Sequence, residues 1–357
     1  MLIKSLSLTN FRSYESASIE FGTRINVICG KNGAGKTNLV EAIHYLSLAK
    51  SFRLVEDKEM IKHGCEFAKI DSVVDDDGLQ KQISIMITSS GKSISCNGKK
   101  IQKLSDLAKL TNVIVFEPKD VLFFRDSPTT RRRFLDISIA KRSPTYLEEL
   151  SRYEKTLKER NELLKSTKVD EKHLSILTSE LIRAAEPIVR ARTRFIKEIN
   201  EILGKIFQLL SMKDEEIELI YTPFVEQGDG YRNNASDAFK RSLESDLKKK
   251  TTNIGPHRED FSMTLNYHSV SISGSQGENR IAILSLILAP YFLIKESEKR
   301  PIIVLDDVMS ELDANHKEKL VAFLEKLQQV FITTTQTQKI DASFYDVMNN
   351  KITRRNS

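Results

Sequence analysis

One stretch restricts the folds open to this chain more than any other: Ile25-Asn26-Val27-Ile28-Cys29-Gly30-Lys31-Asn32-Gly33-Ala34-Gly35-Lys36-Thr37. The apolar run ending at Cys29 is short enough for a buried strand, and beyond it Leu39, Ile43 and Leu46 recur at helical spacing. Between them lies Gly-x-x-x-x-Gly-Lys-Thr, the P-loop pattern. Glycines 30, 33 and 35 are expected to let the backbone turn so that successive N–H groups face one anion, with the helix N-terminus adding its partial positive charge. Residues Gly30, Lys31, Asn32, Gly33, Ala34, Gly35, Lys36 and Thr37 are therefore candidate phosphate-binding residues. Lys36 should reach the β/γ-phosphates and Thr37 should hold Mg²⁺. A bland glycine-rich turn is the competing reading, and the flanking strand and helix weigh against it.

The second half of such a site is visible far downstream. Pro301-Ile302-Ile303-Val304-Leu305-Asp306-Asp307 is an apolar strand ending in two carboxylates, the Walker B arrangement. Its first acid, Asp306, is expected to hold the metal with Thr37, and Asp307 to orient the attacking water as the catalytic carboxylate beside Lys36. A single βαβ core does not need 269 residues between Thr37 and Asp306, so something is inserted between the two halves. Just before the apolar run from Ile281 stands Ser275-Gln276-Gly277-Glu278-Asn279-Arg280, where Ser275 and Gly277 open a helix and offer a second anion-binding end. Alone, this would be an ordinary N-cap.

The remaining chain supplies the context. Residues 1 to 29 alternate apolar and polar side chains, which predicts two strands leading into the P-loop strand. Arg12, in the connection Phe11-Arg12-Ser13-Tyr14, could reach over a nucleotide, although a solvated loop arginine is the commoner fate. Period-two alternation from Phe67 to Ser95 predicts an antiparallel meander. From Arg125 to Lys165 eleven Lys or Arg face seven Asp or Glu, with Arg131-Arg132-Arg133 together and two helical segments. From His173 to Met212 apolar residues recur at three and four, Pro187 should kink or interrupt the helix, and Arg183, Arg190 and Arg194 share a face. That stripe reads equally as a solvated surface or a phosphate-contacting one. Gly228 to Lys250 reads as a loop plus a short helix returning to the first lobe.

At 357 residues the chain exceeds what one hydrophobic core usually supports. Its net charge of +6 permits an anionic partner without demanding one. Three cysteines without a CxxC pair fit a reducing cytoplasm better than secretion. The alternating N-terminus is unlike a charged then apolar leader, so no signal peptide is expected. The run Ile281 to Ile294 is too short for a bilayer and is read as a buried helix.

In this order the motifs resemble those of ABC-type ATPases, with Ser275-Gln276-Gly277 as signature motif and Ser310-Glu311-Leu312-Asp313 as D-loop. The early Asn10-Phe11-Arg12-Ser13-Tyr14 and the split site resemble the SMC-like class of DNA-repair ATPases, here with a compact helical insertion instead of a long coiled coil. Lys50-Ser51-Phe52-Arg53, the stretch from Ser127 to Asp136, Gly255-Pro256-His257-Arg258-Glu259-Asp260 and Leu305 to Asp313 narrow the resemblance to the RecF family. The fold so implied is α/β: an ABC-type ATPase head with a mixed, largely parallel P-loop sheet and an antiparallel β layer, carrying an inserted compact α-helical lobe. Its segments would be 1–124 for the first half of the head, 125–250 for the lobe and 251–357 for the second half.

The same resemblance implies an ATP-dependent DNA-binding protein of recombinational repair and replication, with weak DNA-stimulated ATPase activity and Mg²⁺ as cofactor. ATP would join two copies, Ser275 and Gly277 of one facing the γ-phosphate held by the other, with Arg12 helping to bind nucleotide. The homodimer would sit on double-stranded, gapped or junction DNA and help load recombinase beside RecR and RecO in the RecA pathway. Glu259 stands where the family more often has Asp, Glu278-Asn279 replaces the usual glutamines, and Thr333-Thr334-Thr335 occupy the region of the switch histidine of many ABC proteins. The rival readings are an ABC-type ATPase of a nuclease-linked defence system and a P-loop kinase.

Overall fold

A computed structural model describes residues 1–355 except 54, 103, 273–275 and 337–339. The chain divides into two compact units, one made of Met1–Val121, Ile206–Lys213 and Arg280–Ser357, the other of Leu122–Lys205 and Asp214–Asn279.

The first unit holds two sheets. Strands β1 (Leu2–Phe11), β2 (Tyr14–Glu20), β4 (Phe67–Asp76), β5 (Leu79–Thr88), β6 (Gly91–Cys96) and β7 (Lys99–Lys100) form an antiparallel layer in the order β2-β1-β4-β5-β6-β7. On β4 alternate residues such as Ala68, Ile70, Ser72 and Val74 are buried, which is why period two was legible there. The second sheet contains β3 (Ile25–Cys29), β8 (Val113–Phe116), β12 (Ile302–Leu305), β13 (Val330–Thr334), β14 (Ser343–Met348) and β15 (Lys351–Arg354), ordered β15-β14-β3-β13-β12-β8. All its pairings are parallel except β14 with β15. Every residue of β3, β12 and β13 is buried, so apart from Asn26 and the Thr333-Thr334 end of β13 these strands are apolar throughout and do not alternate.

Helices α1 (Lys36–Leu48), α2 (Leu104–Leu110) and α8 (Ala314–Leu324) belong to this unit, as does most of α7 (Gln276–Phe292). Two buried side chains join the antiparallel layer to the P-loop sheet. Phe21 packs on Phe331 with ring centroids 4.8 Å apart, and the Gln329 amide exchanges hydrogen bonds with the backbone of Ile3 (2.8 and 2.9 Å).

The second unit holds α3 (Pro128–Ala140), α4 (Pro144–Lys165), most of α5 (Glu171–Ser211), α6 (Tyr231–Lys249) and a small sheet of β9 (Ile217–Thr222), β10 (Asp260–Leu265) and β11 (His268–Ser269), ordered β11-β10-β9. Phe123, Phe124, Phe134, Phe195 and Phe261 form an aromatic cluster within it. Three expectations change here. The lobe does not end near residue 250, because β10 pairs with β9 over six residues and carries the chain to Asn279 into this unit. Instead of a short helix, α6 has 19 residues, its buried Tyr231, Ala235 and Phe239 four apart while the polar residues that suggested a loop lie outward. Of the kink or interruption expected at Pro187, the interruption does not occur, since α5 runs on through it with Ala184, Ala185, Ile188 and Val189 buried on either side.

Candidate nucleotide-binding site

From the end of β3 the chain turns through Gly30 to Gly35 into α1. Gly33 (φ 78°) and Gly35 (φ 111°) hold the left-handed backbone that glycine adopts without penalty. A Cβ on Gly35 would also lie 2.9 Å from the Tyr14 hydroxyl, which donates to the Gly35 carbonyl at 3.0 Å. Gly30 is required for a different reason from the one expected. It is absent from the left-handed residues, but a Cβ there would stand 2.5 Å from the Val347 carbonyl, so the constraint is close approach of β14 and not a turn. Lys31, Asn32 and Gly33 are exposed at the crest of the loop, and Ala34 is half-buried, its N–H bonded to the Lys31 carbonyl at 3.2 Å. Buried Lys36 lies along the loop, its Nζ donating to the carbonyls of Gly30 (2.7 Å) and Lys31 (3.1 Å).

The sheet brings the distant acids to this loop. Thr37 Oγ1 donates to Asp306 Oδ1 at 3.3 Å across 269 residues of sequence. Thr333 Oγ1 donates to the same Oδ1 at 2.6 Å and accepts the Asp307 N–H at 2.9 Å. Burial raises the Asp306 carboxyl above its ordinary range, opposed by the bonds from Thr333 and Thr37 and by the charge of Arg53. Asp307 takes a left-handed backbone (φ 50°, ψ 25°), and its Oδ1 is buried without a hydrogen-bond partner among the described residues. A looped row of N–H groups, a lysine along it, and a hydroxyl beside a buried carboxylate form an arrangement that fits a nucleotide triphosphate and its Mg²⁺. Mg²⁺ is usually held by one or two protein oxygens plus phosphates, and Thr37 and Asp306 supply that number.

Comparison with known proteins gives the same picture. The family model for the RecF/RecN/SMC N terminal domain matches residues 2–355. The DNA replication and repair protein RecF of Clostridium perfringens (strain SM101 / Type A) is 37% identical over 356 residues, covering 99% of this chain and 98% of that protein. That of Shouchella clausii (strain KSM-K16) is 37% identical over 353 residues, covering 96% and 95%. The chain belongs to the RecF family.

A solved structure of the recombination mediator protein RecF with ATP, from the RecFOR pathway, matches this RecF-family chain with a TM-score of 0.92 at 30% identity, covering 99% of this chain and 98% of that one. An SMC head bound to the C-winged helix domain of ScpA shares the fold, with a TM-score of 0.60 at 16% identity.

Arg12, expected to reach nucleotide, gives its Nε and Nη2 to the Glu41 carboxylate (2.9 Å each) and its Nη1 to the Glu59 carbonyl (2.9 Å). Glu41, Glu117 and Asp120 of this RecF-family chain were not foreseen. Glu41 is fully buried on α1, accepts a short hydrogen bond from Ser51 and lies 3.7 Å from Arg53. A glutamate on the apolar side of the P-loop helix was the available signal. After β8, Glu117 is pushed upward by burial despite its 2.8 Å contact with Lys119, and Asp120 is raised to about 7 by burial.

Ser275 lies outside the described residues. Gly277 is exposed in the first turn of α7, and Arg280 in the next turn pairs with Glu311 and donates to its carbonyl at 2.7 Å, tying α7 to the segment that follows β12. In the second unit Arg131 and Arg132, read as part of a basic cluster, turn inward. Arg131 is bidentate on Asp260 (2.7 and 2.8 Å), and Arg132 donates to the Glu259 carbonyl at 2.8 Å. Arg183, Arg190 and Arg194 are exposed, whereas neighbouring Arg192 is buried against Asp136 and Glu259.

Proposed function

We propose that this chain is an ATP-dependent DNA-binding protein of recombinational repair and replication. The observation that carries this reading is the 3.3 Å contact of Thr37 with Asp306, which closes a P-loop site from both ends of the chain. The ATP-bound RecF relative, alike over nearly the whole chain, supports ATP as the nucleotide. Gly30 to Thr37 cradle the phosphates and Lys36 neutralises them. Thr37 and Asp306 hold Mg²⁺, which supplies charge neutralisation at the phosphates when bound. Asp307 orients the attacking water; being one methylene shorter than glutamate, it makes for slow turnover.

Two copies clasp ATP, each adding Ser275 and Gly277 to the other's site, and Arg12 contributes to nucleotide binding once released from Glu41. The exposed arginines of α5 offer a surface for duplex or gapped DNA. RecR, RecO and RecA are the partners by family role. The protein works in the cytoplasm, in keeping with the lack, among the described residues, of any helix long and apolar enough to cross a membrane.

Sedimentation with ATP or ADP tests the clasp. The expected result is a dimer with ATP and a monomer with ADP, and a monomer in both for Lys36→Ala. A mass indifferent to nucleotide overturns the clasp. ATPase rates measured with and without duplex DNA over a salt series test the DNA reading. DNA stimulation should fade steeply as salt rises, and a rate indifferent to DNA at every salt overturns that part.

A further inference from the structure

The run Thr333-Thr334-Thr335 has so far been given no task. Strands β12 and β13 pair in parallel up to Leu305↔Ile332, after which β12 ends and the chain turns left-handed at Asp307. The Asp306 N–H still finds a neighbouring strand, bonding to the Phe116 carbonyl of β8 at 2.8 Å. The Asp307 N–H has left the ladder, and the Thr333 hydroxyl takes its place. That oxygen has one proton and acceptor lone pairs, and the two bonds fix its direction: the proton goes to Asp306 Oδ1 at 2.6 Å and a lone pair receives Asp307 N–H at 2.9 Å. Thr333 is completely buried, so water cannot stand in for either bond. On the other side of β13, the carbonyl of Thr334 accepts the N–H of Gly30 at 3.2 Å, where the phosphate loop begins. The end of β13 thus spaces the loop from the acids.

We propose that Thr333 is a positioning residue for both acids, its one hydroxyl setting the rotamer of the metal-holding Asp306 and the left-handed backbone that aims Asp307. The inference rests on the ATPase reading above and deepens it. A hydroxyl in this place does for the two carboxylates what outer partners do for metal ligands generally, and removal of such a partner typically costs about 10- to 100-fold in metal affinity or activity.

The test compares the full chain with Thr333→Val, which keeps the shape and loses both bonds, and with Thr333→Ser, which keeps the hydroxyl. Fluorescent ATP binding is titrated with Mg²⁺, and repeated in EDTA, alongside kcat and KM for ATP. Expected for Thr333→Val is an Mg²⁺ midpoint raised about 10-fold and kcat lowered by at least about 10-fold, with nucleotide affinity in EDTA unchanged. Thr333→Ser should return both to within about threefold of the parent. Wild-type Mg²⁺ midpoint and kcat in Thr333→Val overturn the proposal. So does a lowered melting temperature with both quantities unchanged in the folded protein, the mark of a purely structural hydroxyl. If Val is not tolerated, Thr333→Ala removes the same two bonds and is read the same way. Absence of ATP binding by the parent protein would instead refute the ATPase reading, leaving the two failures distinguishable.

Discussion

Individual residues at the phosphate loop are held by constraints that differ in kind. Gly35 carries two, a left-handed backbone and the 2.9 Å approach of Tyr14 and Asn350 to where a Cβ would be. Gly35→Ala should therefore cost more than the roughly 1–2 kcal/mol of left-handed strain alone. It should also displace the Tyr14 hydroxyl from the loop carbonyl, and nucleotide titration is expected to show loss of binding with the fold retained. Gly33 differs, since a Cβ there meets nothing within 4 Å. The loop and the acid pair were legible in the sequence because each is a short local pattern next to an apolar strand, although 269 residues separate Thr37 from Asp306. Glu41 and Thr333 were not. Each matters through partners brought in from elsewhere, Arg12 and Ser51 for one, Asp306 and Asp307 for the other, and no local spacing encodes such a meeting.

Among the elements, α6 shows why polar composition misled. Its hydrophilic sequence surrounds a narrow buried stripe, and the stripe is completed by an ion pair that reads as surface charge. Asp246 on α6 and Arg160 on α4 are both fully buried and 2.9 Å apart, with Thr252 and Asn253 filling the remaining valences. Asp246→Ala leaves an unpaired buried guanidinium, so chemical denaturation should show a loss of about 3–5 kcal/mol. Exposed pairs such as Lys240 with Asp237 should give almost nothing when broken.

The turn before β10 adds a pH dependence. His257 is locked between the Tyr153 hydroxyl at Nδ1 (2.6 Å) and the Thr252 carbonyl at Nε2 (3.0 Å), and burial lowers its pKa to about 4. The unfolded chain binds this proton near pH 6.5 and the native state only near 4. Stability contributed by the neutral ring is thus complete above 6.5 and declines as pH falls towards 4. Denaturation midpoints measured over that window should fall less steeply with acid in His257→Gln than in the parent.

Across the whole molecule, chain order and spatial order disagree. The N-terminal β3 sits between β13 and β14, and β8 is paired with β12, so the first unit is built from three separated segments. A chain ending at residue 300 keeps the phosphate loop but exposes both edges of a fully buried strand. It should be insoluble or protease-sensitive in limited digestion and bind no nucleotide, although every P-loop residue is present.

This interleaving also sets an order for biosynthesis. On the ribosome the meander from β4 to β6 can pair as soon as it emerges, because each strand meets the one just made. The catalytic half cannot, since β3 waits for partners encoded in the final thirty residues. A nascent copy therefore passes almost its entire translation with the β3 strand beside the phosphate loop still unpaired on both edges.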